Sequence, residues 1–178
     1  GLKQTPTVDA IALTIHLSLA SSLILICITS LKSVLTPIIA TQYWRVSMWV
    51  LFIAIAGQVI LGGLVAGWDA GIGYNTFPLM NGQWLPANLD TEFFIQFIHR
   101  SSGVLIGLSA VVMGLVCRRD QALWPWLIGT LGLILTQIGL GIATLVYVVP
   151  IHLASLHQLV GILTLAVTYK LAIRLKPA

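Results

Sequence analysis

Three of the four histidines are followed, four positions later, by a small residue. The pairs are His16–Ala20, His99–Gly103 and His157–Gly161. Residues four apart share a helix face, so each imidazole has open space beside it. A planar macrocycle whose metal is bound by that imidazole needs such a space, and neutral imidazole binds iron well. The pattern predicts a haem whose iron is ligated by His99 and His157, with Gly103 and Gly161 beside it.

These histidines lie inside long hydrophobic segments. The 178 residues are 58% hydrophobic and 8% charged, whereas soluble domains have roughly 25% charged residues. Segments of about 20 apolar residues, long enough to cross a bilayer, occur at 8–31, 46–67, 93–116, 123–147 and 151–172. With two cysteines, the composition excludes a soluble enzyme, a disulfide scaffold and a disordered chain. We expect an all-α, polytopic membrane bundle of five transmembrane helices in the lipid bilayer.

The basic residues predict the orientation of this bundle. If the spans alternate, seven of the nine Lys and Arg residues lie on one side, and the positive-inside rule places that side in the cytoplasm or matrix. The C-terminus is then inside and the N-terminus outside. Residues 68–92, the only long connection, would lie outside as a cap over the bundle. Without a basic run or a recognition helix, the net charge of +4 does not indicate nucleic acid.

The last four spans contain a weak internal repeat. Gln58–Leu64 resembles Gln137–Ala143, and His99–Leu105 resembles His157–Leu163. Both histidines lie roughly 8–10 Å below the outer end of their spans, at a rise of 1.5 Å per residue. Two similar helix pairs packed face to face would bring them to a shared centre. The last four spans are therefore predicted to form a haem-binding four-helix bundle.

Arg100 follows His99 in the outer part of the membrane, where an unpaired guanidinium is costly. Haem propionates are natural bidentate partners for it, and snorkelling to lipid headgroups is the alternative. The histidines could instead hydrogen-bond between helices. A zinc site is less favoured because no Cys, Asp or Glu lies at ligand spacing. His152, at the mouth of the last span, is interpreted as interfacial.

Several passages of the chain resemble the haem A synthase family. They are Val65–Pro86, Gln96–Arg100 and Leu140–Gln158, and the opening Gly1–Leu17 is similar to the passage that leads into that family's fourth helix. The resemblance covers essentially the whole chain. It implies an eight-helix membrane oxidoreductase with two similar four-helix halves, which oxidises a methyl group of haem O to the formyl group of haem A for cytochrome c oxidase.

The resemblance also implies roles for the histidines. His99 and His157 match the ligands of a haem b in the family's C-terminal half. His16 matches one of two histidines that hold the substrate haem on the catalytic side. The second of these histidines, and an acidic residue proposed for the chemistry, lie on earlier helices and have no counterpart in this sequence.

The domain organisation follows from this match. Residues 1–31 would be the last helix of a truncated substrate half, and residues 46–172, with the outer loop 68–92, the haem b half. Such a portion is expected to bind haem b without turning over haem O alone. The resemblance further implies haem O as substrate, a bacterial plasma membrane or mitochondrial inner membrane, and haem O synthase and oxidase assembly factors as partners. A homo-oligomer is left open.

Two rival functions are a b-type electron-transfer membrane cytochrome and a transporter built from repeats. A cytochrome with two haems would need a second histidine pair, and His16 has no partner in this sequence. Repeat transporters favour broken helices with polar sites at the midplane. The spans here are unbroken, and their polar residues lie near one face of the membrane.

Overall fold

The computed structural model describes residues 9–31, 34–85 and 90–177. Its five helices are α1 (Ala10–Ser30), α2 (Gln42–Gly67), α3 (Thr91–Cys117), α4 (Trp124–Val146) and α5 (Ile151–Arg174). All five are long and apolar enough to cross a membrane. The predicted all-α membrane bundle with five spans is therefore confirmed. The largest difference in a boundary is at α2, which begins at Gln42 rather than at residue 46.

Several hydroxyl side chains within these helices donate to a carbonyl of the preceding turn of their own helix. Thr164 donates to the carbonyl of Val160 at 2.7 Å, and Thr168 donates to that of Thr164 at 2.7 Å. Both are buried. In a bilayer no water satisfies such groups, so this bonding to the preceding turn makes hydroxyls tolerable at core positions.

Helices α2 to α5 form a closed ring. Helices α2 and α4 each pack against both α3 and α5, so α3 and α5 occupy opposite corners. The ring is filled by apolar side chains that include Met48, Leu51, Leu127, Ile134 and Leu171. Helix α1 lies outside the ring, against α2 and α5. The last four spans thus form the expected four-helix bundle.

The two ends of the bundle differ. We call the end that carries the starts of α1, α3 and α5 the histidine end, because His99 and His157 lie within about three turns of it. At the opposite end, strand β1 (Ile38–Ile39) pairs in parallel with β2 (Leu175–Lys176). This short pairing was not predicted, because two residues carry no periodicity. It joins the connection before α2 to the end of α5.

The connection between α2 and α3 folds over the histidine end. It contains a 3₁₀ turn at Ala70–Ile72 and buries Tyr74 and Met80. The Gln96 amide of α3 donates to the carbonyl of Tyr74 at 3.3 Å, which fastens the connection to the start of α3. Residues 86–89 of the predicted outer loop, and residues 1–8 of the predicted range 1–31, lie outside the described residues.

The close crossing of α1 and α2 yields a first prediction. A Cβ atom on Gly67 would lie 2.5 Å from the Cα of Ala10, so a methyl group there forces the two backbones apart. Overpacking costs about 1–3 kcal/mol. We expect Gly67→Ala to lower the unfolding temperature of the purified protein in detergent by roughly 2–10 °C.

Gly57→Ala in the same helix is the matched control. A Cβ atom there meets no other atom within 4 Å, and alanine favours helix over glycine. This variant should unfold at the wild-type temperature or above it. Equal unfolding temperatures for the two variants would contradict the close crossing.

Candidate functional site

The structure brings two of the predicted site residues together at the centre of the ring. The imidazoles of His99 and His157 have centroids 6.5 Å apart and planes inclined by 84°. Their helices, α3 and α5, stand at opposite corners of the ring. Each side chain therefore reaches inward across the bundle, and both are half-buried. The two rings face each other without another helix between them.

The separation of the rings suits a shared metal. A metal–imidazole bond is about 2 Å long and the bonded nitrogen lies about 1 Å from the ring centroid, so two axial imidazoles have centroids about 6 Å apart. Among the described residues, no group of three or more His, Cys, Asp and Glu side chains could hold a metal ion. Two histidines alone suit an iron whose remaining four ligands come from a porphyrin.

Hydrogen bonds fix the tautomer of His157. Its Nδ1 lies 3.1 Å from the backbone oxygen of Gln137. A carbonyl oxygen only accepts, so Nδ1 carries the proton and Nε2 carries the lone pair that a metal uses. The side-chain nitrogen of Gln137 lies 3.3 Å from that Nε2 and donates to it. Of these two contacts, the one from Nδ1 to the Gln137 carbonyl is the kind that orients a histidine ligand and raises its basicity.

His99 has a different environment. Its Nδ1 is buried without a hydrogen-bond partner in the part of the chain that the structure describes. The Gln58 side chain, which corresponds to Gln137 in the repeat, donates to the backbone oxygen of His99 at 3.0 Å and not to its ring. An unpaired buried imidazole nitrogen is costly, and binding a metal or another ligand at this ring would offset part of that cost.

Four glycines interlock the helix pairs. Cβ atoms on Gly62 and Gly141 would lie 3.3 Å and 2.9 Å from the Cε1 atoms of His99 and His157. Those on Gly103 and Gly161 would lie 3.0 Å and 2.9 Å from the side-chain nitrogens of Gln58 and Gln137. In each pair, the histidine fits against a glycine of the partner helix and the glutamine fits against the glycine one turn after the histidine.

This arrangement assigns contacts that the sequence reasoning did not. Gly103 and Gly161 were expected to lie beside a macrocycle, and the structure places them against the glutamine amides. Gly62 and Gly141 are the glycines in contact with the imidazoles. The missed signal was the equal spacing of the two motifs, because Gln58 precedes Gly62 by four residues as His99 precedes Gly103.

Arg100 links the site to the α2–α3 connection. Its Nη2 donates to the carbonyl oxygen of Thr76, and its guanidinium lies 5.8 Å from the centre of the Phe77 ring. Its Nη1 is buried and has no hydrogen-bond partner among the described residues. One nitrogen thus anchors the side chain while the other is available to an anion such as a propionate.

The other two histidines are separate from the central pair. His16 is exposed on α1, outside the ring. The buried face of α1 instead carries Thr14, whose Oγ1 would lie 3.0 Å from a Cβ atom on Gly63 of α2. His152 is exposed in the first turn of α5.

Comparisons with known proteins agree on one family. A family model named COX15-CtaA and described as cytochrome oxidase assembly protein matches residues 1–169. A protein of Neorickettsia sennetsu named "Heme A synthase" is 31% identical over 94% of this chain and 54% of its own length. The protein of the same name from Rickettsia felis is 34% identical over 94% of this chain and 55% of its own length. The one from Azorhizobium caulinodans is 36% identical over 93% of this chain and 52% of its own length. The chain spans about half the length of these relatives.

The glycine contacts yield a second prediction. A methyl group on Gly141 would displace the His157 ring from the Gln137 carbonyl, and disturbing such a partner of a metal ligand weakens binding about 10–100-fold. We expect Gly141→Ala to weaken haem binding by that factor when haem-depleted protein is titrated with protohaem and followed in the visible spectrum.

Gly139→Ala, two residues away on α4, is the control. A Cβ atom there meets nothing within 4 Å, so this variant should bind protohaem as the wild type does. If both variants bound protohaem equally weakly, the effect would come from adding a methyl group to α4 and not from the contact with His157.

Proposed function

The chain belongs to the COX15-CtaA family of cytochrome oxidase assembly proteins, and from this membership we propose that it is part of a haem A synthase. In this proposal the whole protein oxidises a methyl group of haem O to the formyl group of haem A, for use in cytochrome c oxidase. The portion in this chain binds haem b between His99 and His157. The observation that carries the proposal is the 6.5 Å separation of these two rings at the centre of the bundle.

His99 and His157 together would hold a haem b, which would supply one-electron transfer and, with both histidines bound, would not easily bind oxygen. The residues of the chain prepare that site in three ways. The Gln137 carbonyl holds the His157 ring with Nε2 free of a proton. The Nη1 of Arg100 offers a charged donor to a propionate. Buried Ile55 and Ile134, with Ile106 and Ile138 against them, exclude water from the core of the ring.

His16 is proposed to serve the substrate. It is exposed on α1, outside the four-helix ring, so its imidazole is available to a ligand bound beside the haem b half. We assign it to the haem O site, with residues 1–31 in the substrate half and residues 46–172 in the haem b half.

Charges at the ends of the helices support the proposed orientation. The opposite end carries most of the basic residues near helix ends, which are Arg45, Arg118, Arg119, Arg174 and Lys176. The histidine end carries Asp9, Asp69, Asp90 and Glu92. By the positive-inside rule, the histidine end faces the periplasm or intermembrane space. The C-terminus then lies on the cytoplasmic or matrix side.

The first test of the proposal concerns the axial ligands. The purified full-length protein should give the reduced-minus-oxidised spectrum of a six-coordinate b-type haem. Replacement of either ligand, in His99→Ala or His157→Ala, should abolish that signal, since one imidazole leaves the iron five-coordinate. His152→Ala, at an exposed position of α5, is the control and should retain the spectrum.

A six-coordinate spectrum that survives both His99→Ala and His157→Ala would reject the assignment. Haem extraction then separates the synthase from a plain b-type cytochrome. Membranes with the active full-length protein should contain haem O or haem A beside haem B, whereas a cytochrome would yield haem B alone.

The second test concerns Arg100. A positive charge beside a haem favours the reduced state, so Arg100→Gln should lower the reduction potential by roughly tens of millivolts. Arg100→Lys keeps the charge and should give a smaller change. Redox titration of the two variants measures the reduction potential. An unchanged potential in Arg100→Gln would mean that Arg100 contacts only Thr76 and does not act on the haem.

A further inference from the structure

We propose that Gln137 is a positioning residue that caps the metal-binding nitrogen of His157 whenever this nitrogen is not bound to iron. His157 is thereby the exchangeable axial ligand, and His99 is the ligand that stays. This inference rests on the proposed function, since it concerns the haem b site. It goes further because it makes the two histidines unequal, although they occupy equivalent places in the repeat.

The capping contact follows from the geometry of one side chain. With Nδ1 of His157 donating to the Gln137 carbonyl at 3.1 Å, the Nε2 of the neutral ring is an acceptor. The amide nitrogen of the same glutamine lies 3.3 Å from that Nε2. Both nitrogens of His157 are thus satisfied by Gln137, one through its backbone and one through its side chain. The lone pair occupied by the amide is the one that iron requires.

The equivalent contact is absent at His99. Gln58 donates to the backbone oxygen of His99 at 3.0 Å, and Nδ1 of His99 is buried with no partner among the described residues. Gly161 and Gly103 place the two amides at similar distances from their helices, with separations of 2.9 Å and 3.0 Å from an added Cβ atom. The difference therefore lies in the direction of each amide.

A capped ligand exchanges more readily. An Nε2 atom of His157 that left the iron would accept the hydrogen bond from Gln137, and it would give up that hydrogen bond on binding the iron again. No redox change is involved. The hydrogen bond stabilises the detached state and so favours any external ligand that takes the place of His157. A hydrogen bond of ordinary net strength alters such an equilibrium about three- to tenfold.

Carbon monoxide binding to the reduced haem tests this exchange, because CO must displace one histidine. The measurement uses the purified full-length protein, and the first step is its six-coordinate b-type spectrum. We expect Gln137→Met, which keeps the volume and removes the amide, to bind CO about three- to tenfold more weakly than the wild type. A site that was merely loosened would bind CO more tightly, so the direction of the change separates capping from packing.

A second variant leaves Gln137 in place. A methyl group on Gly161 would lie 2.9 Å from its amide nitrogen and displace it, so Gly161→Ala should also weaken CO binding. The matched controls are Gln58→Met and Gly103→Ala. The first removes the Gln58 amide that donates to the backbone oxygen of His99, and the second displaces it. Their CO affinity should equal that of the wild type or exceed it.

The outcomes separate the two proposals. A wild-type protein without a six-coordinate haem spectrum would overturn both the proposed function and the capping role. A wild-type protein with that spectrum, together with unchanged or tighter CO binding in Gln137→Met and Gly161→Ala, would overturn the capping role alone. Weaker CO binding in these two variants, and not in the controls, supports it.

Discussion

Two imidazoles have to meet at the centre of a membrane bundle, and the remaining structure follows from this requirement. Polar side chains within a bilayer are costly unless other groups of the protein satisfy them. His99 and His157 extend from opposite corners of the ring and approach to 6.5 Å between ring centroids. Glycine at positions 62 and 141 lets the neighbouring helices approach the rings closely. Side chains of ordinary size there would keep the imidazoles apart.

The same constraint explains how the helix pairs are joined. Packing between membrane helices gains little from the hydrophobic effect, so small residues and interhelical hydrogen bonds have a larger share. Here each pair combines one glutamine, one histidine and two glycines. Gln58 and Gln137 lie against Gly103 and Gly161, and their hydrogen bonds run to the backbone of α3 and to the imidazole on α5. The residues that surround the two imidazoles are therefore also the residues that join the helices of each pair.

Much of this arrangement could be predicted from the sequence, and the limits have a physical reason. The positions and order of the spans follow from hydropathy. The meeting of His99 and His157 follows from the depth of each histidine in its span and from the repeat. All of these are read along the sequence without knowing how two helices pack. The glutamine contacts depend on the register between two helices, which no single segment encodes. For this reason the contacts of Gly103 and Gly161 with Gln58 and Gln137 were not predicted, and the placement of these glycines beside a macrocycle stays a prediction. The pairing of β1 with β2 is equally non-local.

The repeat also shows that equal spacing does not give equal chemistry. Both pairs place a glutamine and a histidine four residues before a glycine, which fixes how closely the helices approach. The direction of the hydrogen bonds is a separate variable, because a long amide side chain can reach either a backbone oxygen or a ring nitrogen from nearly the same position. Gln58 takes the first option and Gln137 the second. A duplicated scaffold can therefore place two histidines at matched depth and still give them different hydrogen-bond partners.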